Sequence, residues 1–244
     1  MNRSETGASE RALAPKGQRV ESDGRELRRK QGALPSRRAL LFAAAWACAP
    51  VGDSLAGAPI RVVALGDSLT AGFGLAAEAS FPAVLERELA PRGKAVAIAN
   101  AGVSGDTAEN GLARLDWSVP KGTQGVILEL GANDALRGLE PKDCESALDQ
   151  IVARLKSRAI AVLLCGMKAP HNLGAEYVEA FDSIYPRLAA KYGLALYPFF
   201  LEGVAGEPAL TLPDRLHPNA EGVRVIVGRI LPVVESFVAS IDTH

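Results

Sequence analysis

The chain has 244 residues, 48% of them hydrophobic, which allows one globular domain with a real core and leaves too little for a second. Its 27 Lys+Arg and 28 Asp+Glu are unevenly spread: residues 1–57 hold 10 against 6, and the remainder holds 17 against 22. A mildly acidic body carries no electrostatic footprint for nucleic acid, so that class of partner is excluded.

Residues 1–35 are polar, charged and aperiodic. Ser36-Arg37-Arg38 then leads into an apolar run from Ala39 to Ala49, too short to span a bilayer. Small residues follow, and Ser54-Leu55-Ala56 or Ala56-Gly57-Ala58 fits an A-x-A cleavage pattern. The segment reads as a secretory signal, and the paired arginines resemble a twin-arginine signal, although a general-secretion signal has similar features. A buried amphipathic helix and a lipid anchor on Cys48 are the weaker alternatives. The expectation is a signal or disordered segment over 1–57, a domain over 58–244, and a periplasmic or secreted protein. No later apolar run is long enough for a membrane span.

From residue 60 one pattern repeats: a short apolar run, a loop rich in Gly, Asn or Asp, then an amphipathic stretch. The runs are Ile60–Leu65, Ala95–Ala99, Gly125–Leu130, Ile160–Cys165 and a weaker Leu194–Tyr197. Aliphatic and β-branched runs bounded by glycine suit strands buried on both faces. Helical spacing is expected near 80–90, 107–116, 143–158, 175–192 and 219–240. In the third of these, Cys144, Ala147, Leu148, Ile151, Val152 and Leu155 share one face. Such alternation predicts an α/β fold, a parallel sheet with helices on both faces. Cys48, Cys144 and Cys165 form no C-x-x-C pair, and with three histidines the chain offers no structural zinc pattern. Cys144 and Cys165 read as buried free thiols, with a disulfide between them as the alternative.

Ligands of an open parallel sheet bind beyond the carboxyl ends of its strands, so the loops there should hold the chemistry. After the first run stands Gly66-Asp67-Ser68-Leu69-Thr70-Ala71-Gly72. A serine where a strand turns into a helix sits near N–H groups that favour developing negative charge. After the second run comes Asn100-Ala101-Gly102-Val103-Ser104-Gly105-Asp106-Thr107, where Asp106 followed by Glu109 fits a helix N-cap. Gly131-Ala132-Asn133-Asp134 follows the third run, and Asp214-Arg215-Leu216-His217-Pro218 precedes the last helix. A serine nucleophile needs a base, and His217 is the histidine in a suitable position; Asp214 can fix its tautomer. Oxyanion donors are available from the N–H of Ser68, the N–H of Gly105 and the Asn133 amide. His171 borders this region, while Asp67 and Asp134 read as loop braces.

Gly-Asp-Ser-Leu, the glycine of the second loop, Gly-x-Asn-Asp and Asp-x-x-His resemble, in order, the four sequence blocks of the SGNH, or GDSL, hydrolase family. The resemblance covers nearly all of 60–240 and is strongest to the secreted arylesterase, thioesterase I and lysophospholipase group. It implies a three-layer α/β/α, flavodoxin-like sheet of five parallel strands. It implies hydrolysis of aryl or short to medium acyl esters, thioesters or lysophospholipids, with no metal or cofactor. Carried over block by block, it makes Ser68, Asp214 and His217 the triad and Ser68, Gly105 and Asn133 the oxyanion hole. Ala132 stands where close relatives often have a second glycine, which is tolerable unless that position needs φ > 0.

The tetrapeptide alone decides little, because Gly52-Asp53-Ser54-Leu55 is a second copy in the leader, with no strand of the body before it. Two rival functions stand: a carbohydrate O-acetylesterase on the same scaffold, and a non-catalytic acyl-binding protein. A flavodoxin-like nucleotide binder lacks the phosphate-cradling glycine motif. The loop Met167–Gly174 is expected to act as a flap over an apolar acyl chain, with Leu173, Phe199 and Phe200 alongside.

Overall fold

The computed structural model describes residues 58–241. The expected signal segment and the second Gly-Asp-Ser-Leu copy lie outside the described residues. The strands are β1 (Ile60–Gly66), β2 (Val96–Gly102), β3 (Gly125–Glu129), β4 (Ala161–Cys165) and β5 (Ala195–Tyr197). All pair in parallel, in the order β2-β1-β3-β4-β5, the flavodoxin-like order. Every residue of β3 is buried, so its run is continuously apolar up to Glu129. At the edge, β2 alternates: Val96 and Ile98 are buried while Ala97 and Ala99 are exposed.

The α-helices are α1 (Ser68–Ala71), α2 (Phe81–Leu89), α3 (Ala108–Ala113), α4 (Leu115–Ser118), α5 (Ala132–Leu136), α6 (Pro141–Ser157), α7 (Ala175–Asp182), α8 (Ile184–Tyr192) and α9 (Ala220–Ile241). α2 packs on α9, and α6 packs on α3 and α8, giving three α/β/α layers. The face of α6 predicted from spacing is the buried one. Cys144 and Cys165 are both free and buried. Among the described residues no helix is long and apolar enough to cross a membrane.

Two expected helices are each divided. The stretch 175–192 breaks at Ser183, since Pro186 cannot donate to the carbonyl four residues back and crowds it. The stretch 107–116 breaks at Arg114, whose side chain is drawn into the buried interior. The cap of α3 is also one residue later than expected. Thr107 accepts from the N–H of Asn110, and Asn110 reciprocates to the N–H of Thr107. Asp106 is thereby left free to pair with Arg114 at 2.6 Å.

Candidate active site

Where the strand order reverses, the loops after β1 and β3 separate and leave a crevice. β1 ends at Gly66, where a Cβ would lie 2.1 Å from Thr70 Oγ1 and 2.6 Å from the Glu129 carbonyl, so only glycine fits. Asp67 caps the next turn by accepting from the Leu69 N–H at 2.9 Å. Ser68 thus opens α1, and its side chain faces a cavity of about 440 Å³.

His217 reaches the same cavity from the loop before α9. Its Nε2 lies 2.9 Å from Ser68 Oγ, and its Nδ1 lies 2.7 Å from Asp214 Oδ2. The second Asp214 oxygen accepts from the N–H groups of Leu216 and His217 at 2.9 and 3.0 Å. The N–H of His217, then that of Leu216, then the imidazole hold the Asp214 carboxyl down at about 2. An ionised Asp214 accepts from Nδ1–H, which leaves Nε2 as an acceptor for the serine hydroxyl. The turn that allows this sets Arg215 in the left-handed region at φ 63°, a local strain of about 1 kcal/mol. The Phe73 ring lies against the imidazole, with centroids 4.4 Å apart.

Of the three expected donors, those of Ser68 and Asn133 belong to residues that line the cavity. Among the described residues nothing accepts from the N–H of Ser68 or of Gly105. Gly105 sits at φ +88°, a conformation that favours glycine, and its carbonyl accepts from Arg137 at 2.6 Å. Asn133, in the first turn of α5, donates from Nδ2 to Asp67 Oδ2 and to the Asp106 carbonyl, both at 3.0 Å. Positive φ falls on Gly131, at +114°, where a Cβ would strike the Tyr185 hydroxyl, so alanine is accommodated at 132.

The cavity is largely apolar. Leu69, Leu136, Met167, Pro170, Phe199 and Leu216 line it beside Ser68, Asn133 and His217. The expected flap contributes Met167 to His171, but Leu173 is not part of the lining. Phe200 is not part of it either: it is fully buried and meets Phe81 edge-on. Gly105 stands outside the cavity lining; the link to the cavity is made by its neighbour Asp106, whose carbonyl accepts from Asn133.

Spacing alone did not single out the buried groups behind the site. Glu129 ends β3 fully buried; its Oε2 accepts from Thr70 Oγ1 at 2.6 Å and from the Asp67 N–H at 3.4 Å, while Oε1 has no partner. Burial, and then the neighbouring Asp67, raise its carboxyl well above the usual range. Burial likewise pushes Asp67 up to about 6, against the donors Leu69 and Asn133. Arg114 joins Asp106, Ser118 Oγ and the Gly66 carbonyl, so one guanidinium ties the first two loops together. A charged residue closing an apolar strand was the available signal for Glu129. Asp134 acts as the expected brace, accepting from the Ala108 N–H at 2.9 Å.

A profile of the GDSL-like Lipase/Acylhydrolase family matches residues 64–225. The chain belongs to that family. As a GDSL-like acylhydrolase it is an ester-hydrolysing enzyme that uses a serine. It is 40% identical over 162 residues to an arylesterase of Vibrio mimicus, covering 66% of this chain and 81% of that one. It is 39% identical over 167 residues to the thioesterase 1/protease 1/lysophospholipase L1 of Escherichia coli strain K12, covering 68% and 79%. The solved structure of AlinE4, an SGNH-hydrolase family esterase, superposes with a TM-score of 0.63 at 46% identity, covering 74% of this GDSL-like chain and 97% of the other.

Proposed function

We propose that Ser68 is the nucleophile, with His217 as its base and Asp214 as the group that orients and stabilises the imidazolium. The continuous path Asp214 Oδ2–His217–Ser68 Oγ, with links of 2.7 and 2.9 Å, is the observation that carries this reading. His217 Nε2 takes the hydroxyl proton as Ser68 Oγ bonds to the ester carbonyl carbon. The N–H groups of Ser68 and Gly105 and the Asn133 amide stabilise the oxyanion. His217 returns the proton to the leaving alcohol or thiol. Water, deprotonated by His217, then releases the acid and restores the serine.

The apolar cavity beside Ser68 favours aryl and short to medium acyl groups, including acyl thioesters and lysophospholipids, over the acetyl group of a sugar. Full-length Ser68→Ala and Ser54→Ala variants, assayed on p-nitrophenyl esters of increasing chain length and on an acetylated sugar, test both parts. Turnover in Ser68→Ala falls by about 10⁴-fold or more, whereas Ser54→Ala matches the unaltered protein. Retained activity in Ser68→Ala overturns the assignment, and strict preference for the acetylated sugar overturns the substrate class.

We also propose that residues 1–57 carry an export address, on the strength of Arg37-Arg38 and the apolar run after them. N-terminal sequencing of exported protein is expected to begin near Gly57–Pro59.

A further inference from the structure

Asn133 can stabilise an oxyanion only through its NH₂ end, yet both of its hydrogens are already engaged. One goes to Asp67 Oδ2 and one to the Asp106 carbonyl. These partners are unequal. A hydrogen bond to a carboxylate is roughly twice as strong as one to a neutral acceptor. The Asp67 carboxyl is also anchored from its other side by the Leu69 N–H, which leaves Oδ2 aimed at Asn133.

We infer that Asp67 is a positioning residue that holds the Asn133 amide with its nitrogen toward the reacting carbonyl, and that the Asp106 carbonyl is the neutral acceptor the oxyanion displaces. This rests on the role proposed above for Asn133. The buried carboxyl of Glu129 fits the same scheme. Burial and its nearness to Asp67 favour its neutral form, so the pair carries one negative charge. That charge lies on Asp67, both of whose oxygens accept from a donor, whereas Glu129 Oε1 has no partner.

An isosteric amide at residue 67 exposes the effect. In Asp67→Asn, one side-chain oxygen can cap Leu69 only if an NH₂ group faces the NH₂ of Asn133. Either the cap is lost or the Asn133 amide turns its oxygen toward the site, where it repels an oxyanion.

The test is a double-mutant cycle on a p-nitrophenyl acyl ester, with Ser68→Ala as control and kcat and KM measured separately. Asp67→Asn alone is expected to lower kcat about 10- to 100-fold, within the loss caused by removing an oxyanion donor, with KM changed less than threefold. In an Asn133→Ala background it adds no further loss in kcat. Asp67→Ser keeps a cap for Leu69 but is too short to reach Asn133, and it gives the same pattern should Asp67→Asn yield no folded protein. A loss that multiplies with that of Asn133→Ala, or a kcat unchanged by Asp67→Asn, overturns the inference about Asp67 alone. Turnover at the unaltered rate in Asn133→Ala or Ser68→Ala overturns the underlying assignment as well.

Discussion

Asp67 and Asp214 both lie close to Ser68, one as its chain neighbour and one through His217, in opposite surroundings. Asp67 is its chain neighbour and fully buried, with a carboxyl pushed up to about 6 by desolvation. Asp214 lies at the rim on a distant segment, held down at about 2 by the N–H groups of His217 and Leu216 and then by the imidazole. Residue type is identical, so the difference is made by donors and water. An aspartate exposed to solvent and given three donors stays charged and can support an imidazolium. One removed from water is better used to orient a neutral amide. Adjacency to the nucleophile is therefore a poor guide to which carboxylate partners the base.

The largest expected contrast is in turnover. Asp214→Asn is expected to lower kcat about 10³- to 10⁴-fold, since the imidazole loses both its preferred tautomer and its counter-charge. Steady-state kinetics beside Asp67→Asn decide the matter: equal losses in the two variants would erase the distinction drawn between them.

A smaller contrast separates charge from packing at Glu129. Glu129→Gln keeps the shape and an acceptor for Thr70, and activity within a few-fold of the original is expected if the carboxyl is neutral. Glu129→Ala leaves a void and an unpaired hydroxyl and is expected to cost about 2–4 kcal/mol in denaturant unfolding. A Gln variant as unstable as the Ala variant would mean that Glu129 is ionised.

The smallest effect lies in the pH dependence of stability, where the two aspartates act with opposite sign. An unfolded aspartate titrates near about 3.9. The folded value of Asp214 is below that, so its contribution is present above about 4 and is lost as pH falls toward about 2. The folded value of Asp67 is above it, so the protein loses stability relative to Asp67→Asn as pH rises from about 4 to about 6. Glu129, Asp106 and His217 face the Asp67 carboxyl and shape that window. Melting temperatures of the parent and both variants between pH 2 and 7 are the measurement. Parallel curves for the two variants would refute the opposed signs. Activity itself is expected to fall on acidification, because a protonated His217 cannot accept the Ser68 proton.

Much of this was legible in the chain. Five apolar runs separated by amphipathic stretches carry the sheet; those of β1, β3 and β4 are nearly continuous because strands covered on both faces need no alternation. Ser68, Gly105, Asn133, Asp214 and His217 could be gathered because a parallel sheet presents all its following loops at one edge. What escaped depended on contacts between distant segments. The break at Arg114 belongs with a guanidinium reaching back 48 residues to the Gly66 carbonyl. The cap at Thr107 rather than Asp106 depends on Asp106 having a better partner elsewhere. The Asp67–Asn133 bond joins residues 66 apart, and no local pattern encodes it.

The proposed nucleophile and its base are 149 residues apart, with the base on the segment that precedes the final helix. Synthesis therefore delivers the serine early and the imidazole late. A chain arrested before residue 214 would already contain the residues of all five strands, and its serine would still lack a base. The proposed Asp214–His217–Ser68 path therefore cannot assemble until the segment that leads into the final helix has been made.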